Sequence, residues 1–252
     1  MTDNRPIATF EFDPLNPAQY FACCGLLELV SAGTPDVLAA FDHDPQQPRK
    51  ARFVLYGLTP ETVKTTLESL KKAKATAIGE SNGEAPIKIE IADLPKFVLD
   101  WWLAPDRSRK SRFKLWAGQQ TTLKLVEDML SMDWGELDTH FLNFRLPMSG
   151  RFGIDPRSSW NTLDFGSSLN IQAPDPYTYP VTEMLAAIGL QGFRPSKTKE
   201  GFSYQLWTQP LPLIPARAAA SLAISEFSGS SFVFQVEKRS GSFRCFTFAR
   251  PQ

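Results

Sequence analysis

The 252-residue sequence lacks an excess of charge of either sign. Lysine plus arginine number 27, and aspartate plus glutamate also number 27. This balance argues against a free-standing, salt-driven nucleic-acid binder, because such proteins normally carry a strong basic excess. It leaves room for a subunit that contacts nucleic acid over a small area while partner subunits supply most of the phosphate contacts.

Residues that usually carry catalysis are also scarce. His43 and His140 are the two histidines, with no His-x-x-x-His or Cys-x-x-Cys spacing for zinc. Walker and Gly-x-Ser-x-Gly motifs are absent as well. His140 is the one candidate for RNA cleavage, and it supplies at most half of a general acid–base pair. The sequence therefore predicts a protein that is not an enzyme and that uses no metal or cofactor.

Cysteines and long apolar runs are few. Cys23 and Cys24 lie on a predicted buried helix and Cys245 on a predicted strand, which favours buried thiols in a reducing compartment. No run of about 18 apolar residues predicts a membrane span. Residues 1–5 contain no basic segment followed by an apolar one, so we expect no signal peptide. These features predict a cytoplasmic location.

Two segments that open predicted helices echo each other at an offset of 164 residues. The coinciding positions are Ala22 with Ala186, Gly25 with Gly189 and Leu26 with Leu190. Each segment has a proline near the helix start, followed by small residues and a glycine that allow another backbone to approach closely. The echo indicates two related helix-on-sheet halves. The alternative is a coincidence between two amphipathic helices.

Hydrophobic periodicity predicts an α+β fold with antiparallel sheets and helices packed on one face. A single mixed sheet with a helical insertion is the alternative to two related halves. We expect an N-terminal α+β half at 1–133, an irregular segment rich in aromatic residues, serine and glycine at 134–176, and a C-terminal α+β half at 177–252. The predicted helices are 16–30, one from 59 onward, 120–132, 179–192 and 215–225. The predicted strands are 7–12, 53–56, 87–91, 202–206 and a hairpin of 231–237 with 242–248.

Residues 107–124 contain six basic side chains and no acidic one. Arginine suits phosphate and guanine, glutamine suits adenine, and Trp116 is a candidate stacking face. The alternative is a solvated basic loop followed by a buried tryptophan. The predicted nucleic-acid-binding residues of this loop are Arg107, Arg109, Lys110, Arg112, Lys114 and Gln119.

A second candidate loop spans residues 151–161, where short polar side chains beside arginine suit a groove edge or the sugar-phosphate backbone. Its predicted binding residues are Arg151, Arg157, Ser158, Trp160 and Asn161. An internally bonded loop is the equal alternative, with Asp155 pairing with Arg157 and Ser158 capping a turn. The basic segments 197–199 and 238–244 are secondary candidates.

Four segments together resemble a known family. They are residues 16–29 (NPAQYFACCGLLEL), 114–120 (KLWAGQQ), 152–164 (FGIDPRSSWNTLD) and 179–195 (YPVTEMLAAIGLQGFRP). They resemble the short large-subunit (Csb-type) proteins of type I-U CRISPR effector complexes, also called type I-G. That family carries similar NP-x-x-(F/Y), ACCGLLEL, W-A-G-Q, DPRSSW and A-A-I-G-L-Q segments in the same order, and they span most of this chain.

The resemblance implies a non-catalytic subunit in the large-subunit position of an RNA-guided DNA surveillance (Cascade-like) complex. Such a subunit recognises the motif that flanks the target (PAM) and helps open the DNA for a helicase-nuclease, while the guide reads the sequence. The implied partners are the CRISPR backbone subunits, crRNA, target double-stranded DNA and the helicase-nuclease. Large subunits of other type I systems are longer and often end in a helical bundle, which this sequence lacks. The alternatives are a guide-RNA-processing endoribonuclease of ferredoxin-like fold and a purely structural assembly partner.

Overall fold

The computed structural model describes residues 6–79, 84–117, 120–148, 150–158, 177–221 and 227–252. It confirms an α+β fold with antiparallel sheets. The α-helices are α1 (Pro17–Gly33), α2 (Pro60–Lys71), α3 (Thr122–Ser131), α4 (Pro180–Gly192) and α5 (Leu213–Ala220). The strands are β1 (Ile7–Phe12), β2 (Leu38–His43), β3 (Ala51–Tyr56), β4 (Lys74–Ala77), β5 (Ile87–Glu90), β6 (Phe97–Leu99), β7 (Leu146–Pro147), β8 (Tyr177–Thr178), β9 (Ser196–Lys197), β10 (Phe202–Trp207), β11 (Ser228–Phe234), β12 (Val236–Ser240), β13 (Phe243–Phe246) and β14 (Arg250–Pro251).

Two larger sheets flank a shared core. The N-terminal sheet has the strand order β1-β3-β2 and the C-terminal sheet the order β14-β11-β10-β9. The described residues also form another three-stranded sheet, β4-β5-β6, and two ribbons, β7-β8 and β12-β13. One connected hydrophobic cluster runs from Ala8 to Ala249, so both ends of the chain contribute to it.

Helix α1 lies at the centre of this core. Asn16 caps it by accepting the amide of Ala18 at 3.0 Å, and Pro17 occupies the first turn, whose N–H needs no partner. The helix is buried from Pro17 to Val30, as expected for a helix that is apolar on nearly all sides. Cys23, Cys24 and Cys245 are free and buried, as the sequence predicts.

Helices α1 and α4 cross at their glycines. A Cβ on Gly25 would lie 1.9 Å from the carbonyl oxygen of Leu185, and a Cβ on Gly189 would lie 2.1 Å from that of Phe21. Phe21 and Leu185 are themselves 164 residues apart. The contact that Gly25 makes with α4 is therefore equivalent to the contact that Gly189 makes with α1. Glycine is required because the neighbour is backbone, which cannot yield as a side chain can.

The same offset extends beyond the helices. Strand β2 follows α1 and strand β10 follows α4, and their bounds differ by 164 residues. Each pairs antiparallel with the next long strand, β2 with β3 and β10 with β11. On the far side of that middle strand lies β1 in one sheet and β14 in the other. Helix α5 is inserted between β10 and β11, where the N-terminal half has only a short loop.

The predicted C-terminal hairpin was wrong in its first strand. Residues 231–234 belong to β11, which pairs with β10 and β14, and the hairpin is instead formed by β12 and β13. Phe232 and Phe234 are buried in the main core, and that burial places their strand in the larger sheet. The predicted fifth helix is also displaced: α5 begins and ends earlier, and residues 222–226 lie outside the described residues.

None of the described helices is both long and apolar enough to span a membrane.

Candidate nucleic-acid interface

Several cations of the 107–117 loop are bound to acidic neighbours. Arg107 has a positive φ of 56° and donates from Nε and Nη2 to Asp100 Oδ2, at 3.2 and 2.9 Å. Lys110 Nζ lies 3.1 Å from Glu84 Oε2. Both basic side chains are more than half exposed, so their ion pairs contribute little stability and can exchange with a ligand. Arg109 is exposed, and Gln119 lies outside the described residues.

Lys114 is a buried structural residue rather than an exposed cation. Its Nζ donates to Trp116 O at 2.7 Å, lies 3.2 Å from Glu84 Oε1 and sits 4.3 Å from the centroid of the Trp116 ring. Burial lowers the pKa of Lys114, and the Glu84 carboxylate opposes that shift. Trp116 is 1% exposed, so the buried-tryptophan alternative is confirmed and its ring offers no stacking face.

The 151–158 loop follows the internally bonded alternative. Asp155 is fully buried and accepts from the backbone N–H of Arg157 at 2.9 Å and from its Nη2 at 2.6 Å. Arg157 also donates to Asn143 Oδ1 and to Leu142 O, at 2.8 and 2.9 Å. Ser158 is buried and donates its hydroxyl to Asp155 O at 3.0 Å. This bonding occupies Arg157 and Ser158 inside the protein.

A buried carboxyl group fastens this loop to α4. Glu183 Oε2 accepts the amide of Phe152 at 3.0 Å, and Oε1 accepts that of Asp155 at 2.9 Å. Burial raises the pKa of Glu183 to about 8. Asn16, the N-cap of α1, donates from Nδ2 to Asp155 Oδ1 at 3.2 Å. The N-terminal ends of α1 and α4 therefore both contact this loop. We refer to α1, α4 and residues 151–158 together as the helix junction. Trp160 and Asn161 lie outside the described residues.

Strand β13 connects the two predicted loops. The amide of Arg244 donates to Leu115 O at 2.7 Å, and that of Phe246 donates to Gly153 O at 3.0 Å. Gly153 has a φ of 86°, and a Cβ there would lie 2.7 Å from Arg244 O. The half-buried Arg151 places its guanidinium 4.9 Å from the centroid of the Phe243 ring. The β12-β13 hairpin therefore lies against both loops.

Around this hairpin, exposed cations from three distant segments converge. We call them the basic surface: Arg112, Lys197, Lys199, Lys238 and Arg244. All five line a cleft of about 570 Å³. Lys238 and Arg244 also line a neighbouring cleft of about 400 Å³, together with Lys110 and Lys114. Segments that are far apart in the sequence thus form one positively charged area.

The cations of the basic surface are not neutralised internally. In the part of the chain that the structure describes, none of the five forms an ion pair. The nearby acidic groups are engaged elsewhere: Glu200 pairs with Arg250, and Glu84 pairs with Lys110 and Lys114.

Lys238 and Arg244 are direct partners across the β12-β13 hairpin. Like charges in that position destabilise a sheet. A bound anion would relieve this repulsion, whereas the free protein carries it. The pairing of these two cations therefore costs the hairpin some stability in the free protein.

A larger cleft, of about 660 Å³, differs in its charge balance. Arg49 Nη2 lies 2.8 Å from Asp13 Oδ2, and Arg52 forms an ion pair with Asp42. His140 also lines this cleft, whereas His43 Nδ1 lies 2.8 Å from Ser230 Oγ. With its arginines paired, this cleft has no excess of positive charge for an anion.

The convergence is what the sequence did not reveal. Arg112 belongs to the predicted basic loop, but the other four cations come from segments that ranked only as secondary candidates. Lysine and arginine in a predicted hairpin were the available sequence signal, and long-range packing brings these cations together with those of the other segments.

Comparisons with protein-family models, with curated proteins and with solved structures found no match to this chain.

Proposed function

We propose that this protein is a non-catalytic, nucleic-acid-binding subunit of a type I-U CRISPR surveillance complex, in the large-subunit position. The observation that carries the nucleic-acid contact is the basic surface, with its five unpaired, exposed cations in a chain of net charge zero. Lysine and arginine at such a surface bind phosphates and release counterions, which is the dominant source of nucleic-acid affinity. The place in a CRISPR complex, in the cytoplasm, is supported by the ordered sequence segments.

The limited size of the basic surface fits a subunit that contributes a share of the contacts. We expect the isolated protein to bind naked DNA at micromolar Kd or weaker at physiological salt, as non-specific contacts do. Flank-selective binding then arises in the guide-loaded complex, where backbone subunits and crRNA complete the interface. Nanomolar, sequence-selective binding by the protein alone would contradict this division of labour.

The decisive experiment is reconstitution with the backbone subunits and crRNA. Target DNA with a correct or a scrambled flank is titrated against complexes that contain wild-type protein or the variant Arg112→Glu/Lys238→Glu/Arg244→Glu. We expect the variant complex to assemble and to lose at least tenfold in target affinity. Lys72→Glu is the charge-reversal control, since Lys72 is exposed and lines neither basic cleft. The proposal would be contradicted if the wild-type protein failed to co-assemble with crRNA. It would also be contradicted if the wild-type and variant complexes bound target DNA with equal affinity.

One structural feature favours the endoribonuclease as a second candidate. Strands β1 and β2 run parallel with β3 between them and α1 connecting them, which is the split β-α-β unit of ferredoxin-like folds. Fold alone does not establish function, and His140 lies in the charge-balanced cleft away from the basic surface. Incubation of repeat RNA with wild type and His140→Ala tests this candidate: specific cleavage lost in the variant would favour it.

A further inference from the structure

The two basic clefts follow one another along the β12-β13 hairpin. Gly241 and Ser242, at the hairpin tip, line the smaller cleft, and Gln235 and Val236, at its base, line the larger one. The Lys238 and Arg244 pair lines both, so the two clefts adjoin there, with Lys110, Ser111, Arg112 and Lys114 along their side. We call the two adjoining clefts the channel. From Gln235 to Gly241 the strand geometry gives a length of about 20 Å.

We propose that this channel holds the sugar-phosphate backbone of one nucleic-acid strand by its phosphates alone, with the bases turned outward to solvent or to a complementary strand. The proposal rests on the proposed function of the basic surface as a nucleic-acid contact and specifies how that contact is made. A row of cations along one hairpin matches the linear charge of one phosphodiester chain. Up to five phosphates are neutralised, one for each cation of the basic surface.

The aromatic residues of the channel are turned inward, which argues against base stacking. Trp116 is 1% exposed under the smaller cleft, and Phe202 is 9% exposed in the larger one. Phe243 at the hairpin is half-buried and is covered by the guanidinium of Arg151. Strand binding that uses stacking needs an open ring face for each base, and the channel presents none among its described residues.

The channel also has few side chains that could form hydrogen bonds with the edges of bases. Gln235 is the one amide side chain among the described lining residues, and its Nε2 donates to Glu200 O at 3.1 Å. The remaining polar side chains are lysine, arginine, serine and threonine, together with Glu200, whose carboxylate forms an ion pair with Arg250. Such groups position a backbone without reading its sequence. The channel should therefore bind strands of different sequence equally and show a strong dependence on salt.

The direct test is fluorescence anisotropy on the isolated protein at low salt. The probes are an oligothymidylate of about 20 nucleotides, a mixed sequence and an abasic oligonucleotide of the same length. We expect the three affinities to agree within about twofold, and the slope of log K against log salt to be about −3.5 for five phosphates of a single strand. A tenfold loss with the abasic probe would show that bases are stacked and would overturn the proposal.

A duplex probe identifies the source of the strand. A slope of about −4.5 and tighter binding of the duplex would support the channel and assign it to one strand of double-stranded DNA. Stronger binding of single strands would support it equally and assign it to an unpaired strand. A slope shallower than about −1 for every probe would overturn the proposal, because it corresponds to about one phosphate contact.

Variants of the hairpin pair separate binding from folding. Lys238→Gln and Arg244→Gln should each reduce the salt slope by about 0.7 and the affinity at least threefold, while the melting temperature is unchanged or raised. The control variant Lys72→Gln/Lys74→Gln should alter neither the salt slope nor the affinity. Wild-type affinity in the Lys238→Gln/Arg244→Gln double variant would overturn the proposal. These measurements need no partner subunit, so their failure is distinct from a failure to assemble with crRNA.

Discussion

The helix junction and the basic surface both place arginine beside short polar residues, yet they bond it in opposite ways. At the helix junction, Arg157 donates to Asp155, Asn143 and Leu142 O and is mostly buried. At the basic surface, Arg244 and Lys238 face each other across a hairpin and form no ion pair with any described residue. One region pairs its charges internally, and the other leaves them exposed and without an ion pair among the described residues.

The difference indicates that the acidic neighbours of a cation, rather than its residue type, decide whether it is engaged within the protein. Removing one partner of a buried ion pair is strongly destabilising because a charge is left uncompensated. Removing an unpaired surface cation has little effect on folding and a large effect on phosphate binding. Mutations should therefore affect mainly stability at the helix junction and mainly affinity at the basic surface.

The largest expected effect is at the glycine crossing of the helix junction. Gly25→Leu or Gly189→Leu would place side-chain atoms into a backbone carbonyl, 1.9 or 2.1 Å from the new Cβ. We expect a loss of more than about 4 kcal/mol and insoluble protein, because the helices must separate. Soluble expression and thermal unfolding measure this. Gly33→Ala is the control, since its Cβ would meet only the flexible end of Leu94 at 3.2 Å. Wild-type melting of both leucine variants would refute close helix contact.

The second effect concerns the buried ion pair. Asp155→Ala should lower the free energy of unfolding by about 3–5 kcal/mol, because Arg157 and Asn16 lose their acceptor. Urea unfolding measures the loss. The matched control is Asp42→Ala, whose partner Arg52 is 60% exposed and whose pair contributes at most about 1 kcal/mol. Equal losses in the two variants would remove the energetic distinction between junction and surface.

The third effect is a pH dependence of stability that originates at Glu183. Burial raises its pKa in the folded state to about 8, well above that of an unfolded glutamate near 4.3. Between these values the folded protein binds more protons than the unfolded chain, so stability contributed by the protonated carboxyl is lost as pH rises. We therefore expect this group to lower the free energy of unfolding progressively between about pH 5 and pH 8.

The measurement is urea unfolding of wild type and Glu183→Gln across that pH range. The glutamine variant should be less stable by about 1–3 kcal/mol at pH 5, because one of the two loop amides loses its acceptor. Its stability should nonetheless be flatter with pH than that of wild type. Parallel profiles for the two proteins would show that Glu183 does not titrate in this range.

The smallest expected effect has the opposite sign. Lys238→Gln should raise the free energy of unfolding by about 0.2–1 kcal/mol, because it removes the repulsion with Arg244. Thermal unfolding at low salt detects the gain, and high salt should reduce it by screening the two charges. A destabilised variant would show that Lys238 has a structural role and would bring the basic surface closer in kind to the helix junction.

Local signals were sufficient for several elements that form the core, although β2, which places Ala39 and Phe41 there, was not predicted as a strand. The alternation in β1 and the proline-led starts of α1 and α4 predict their positions because each depends on nearby residues. The repeated glycines also predicted a close backbone contact. Strand partners were harder: β11 was assigned to a hairpin because its true neighbours, β10 and β14, are distant or short.

The candidate site divides in the same way. The bonded state of Arg157 was an open alternative in the sequence, because Asp155 lies two positions away and can reach it. Burial of Lys114 and Trp116 depends on Glu84 and on the core, which the local sequence does not show. The convergence of 110–114, 197–199 and 238–244 around adjoining clefts depends entirely on tertiary packing.

The glycine crossing has the form of a contact between two copies of one unit. In a two-fold dimer, residue i of one copy meets residue j of the other and the reverse also holds, as Gly25 and Gly189 do with Leu185 and Phe21. Joining two such copies in one chain replaces an encounter between molecules by an intramolecular one at high effective concentration. The two halves also differ: among the described elements, α5 and the β12-β13 hairpin lie in the C-terminal half, and so do four of the five basic-surface cations.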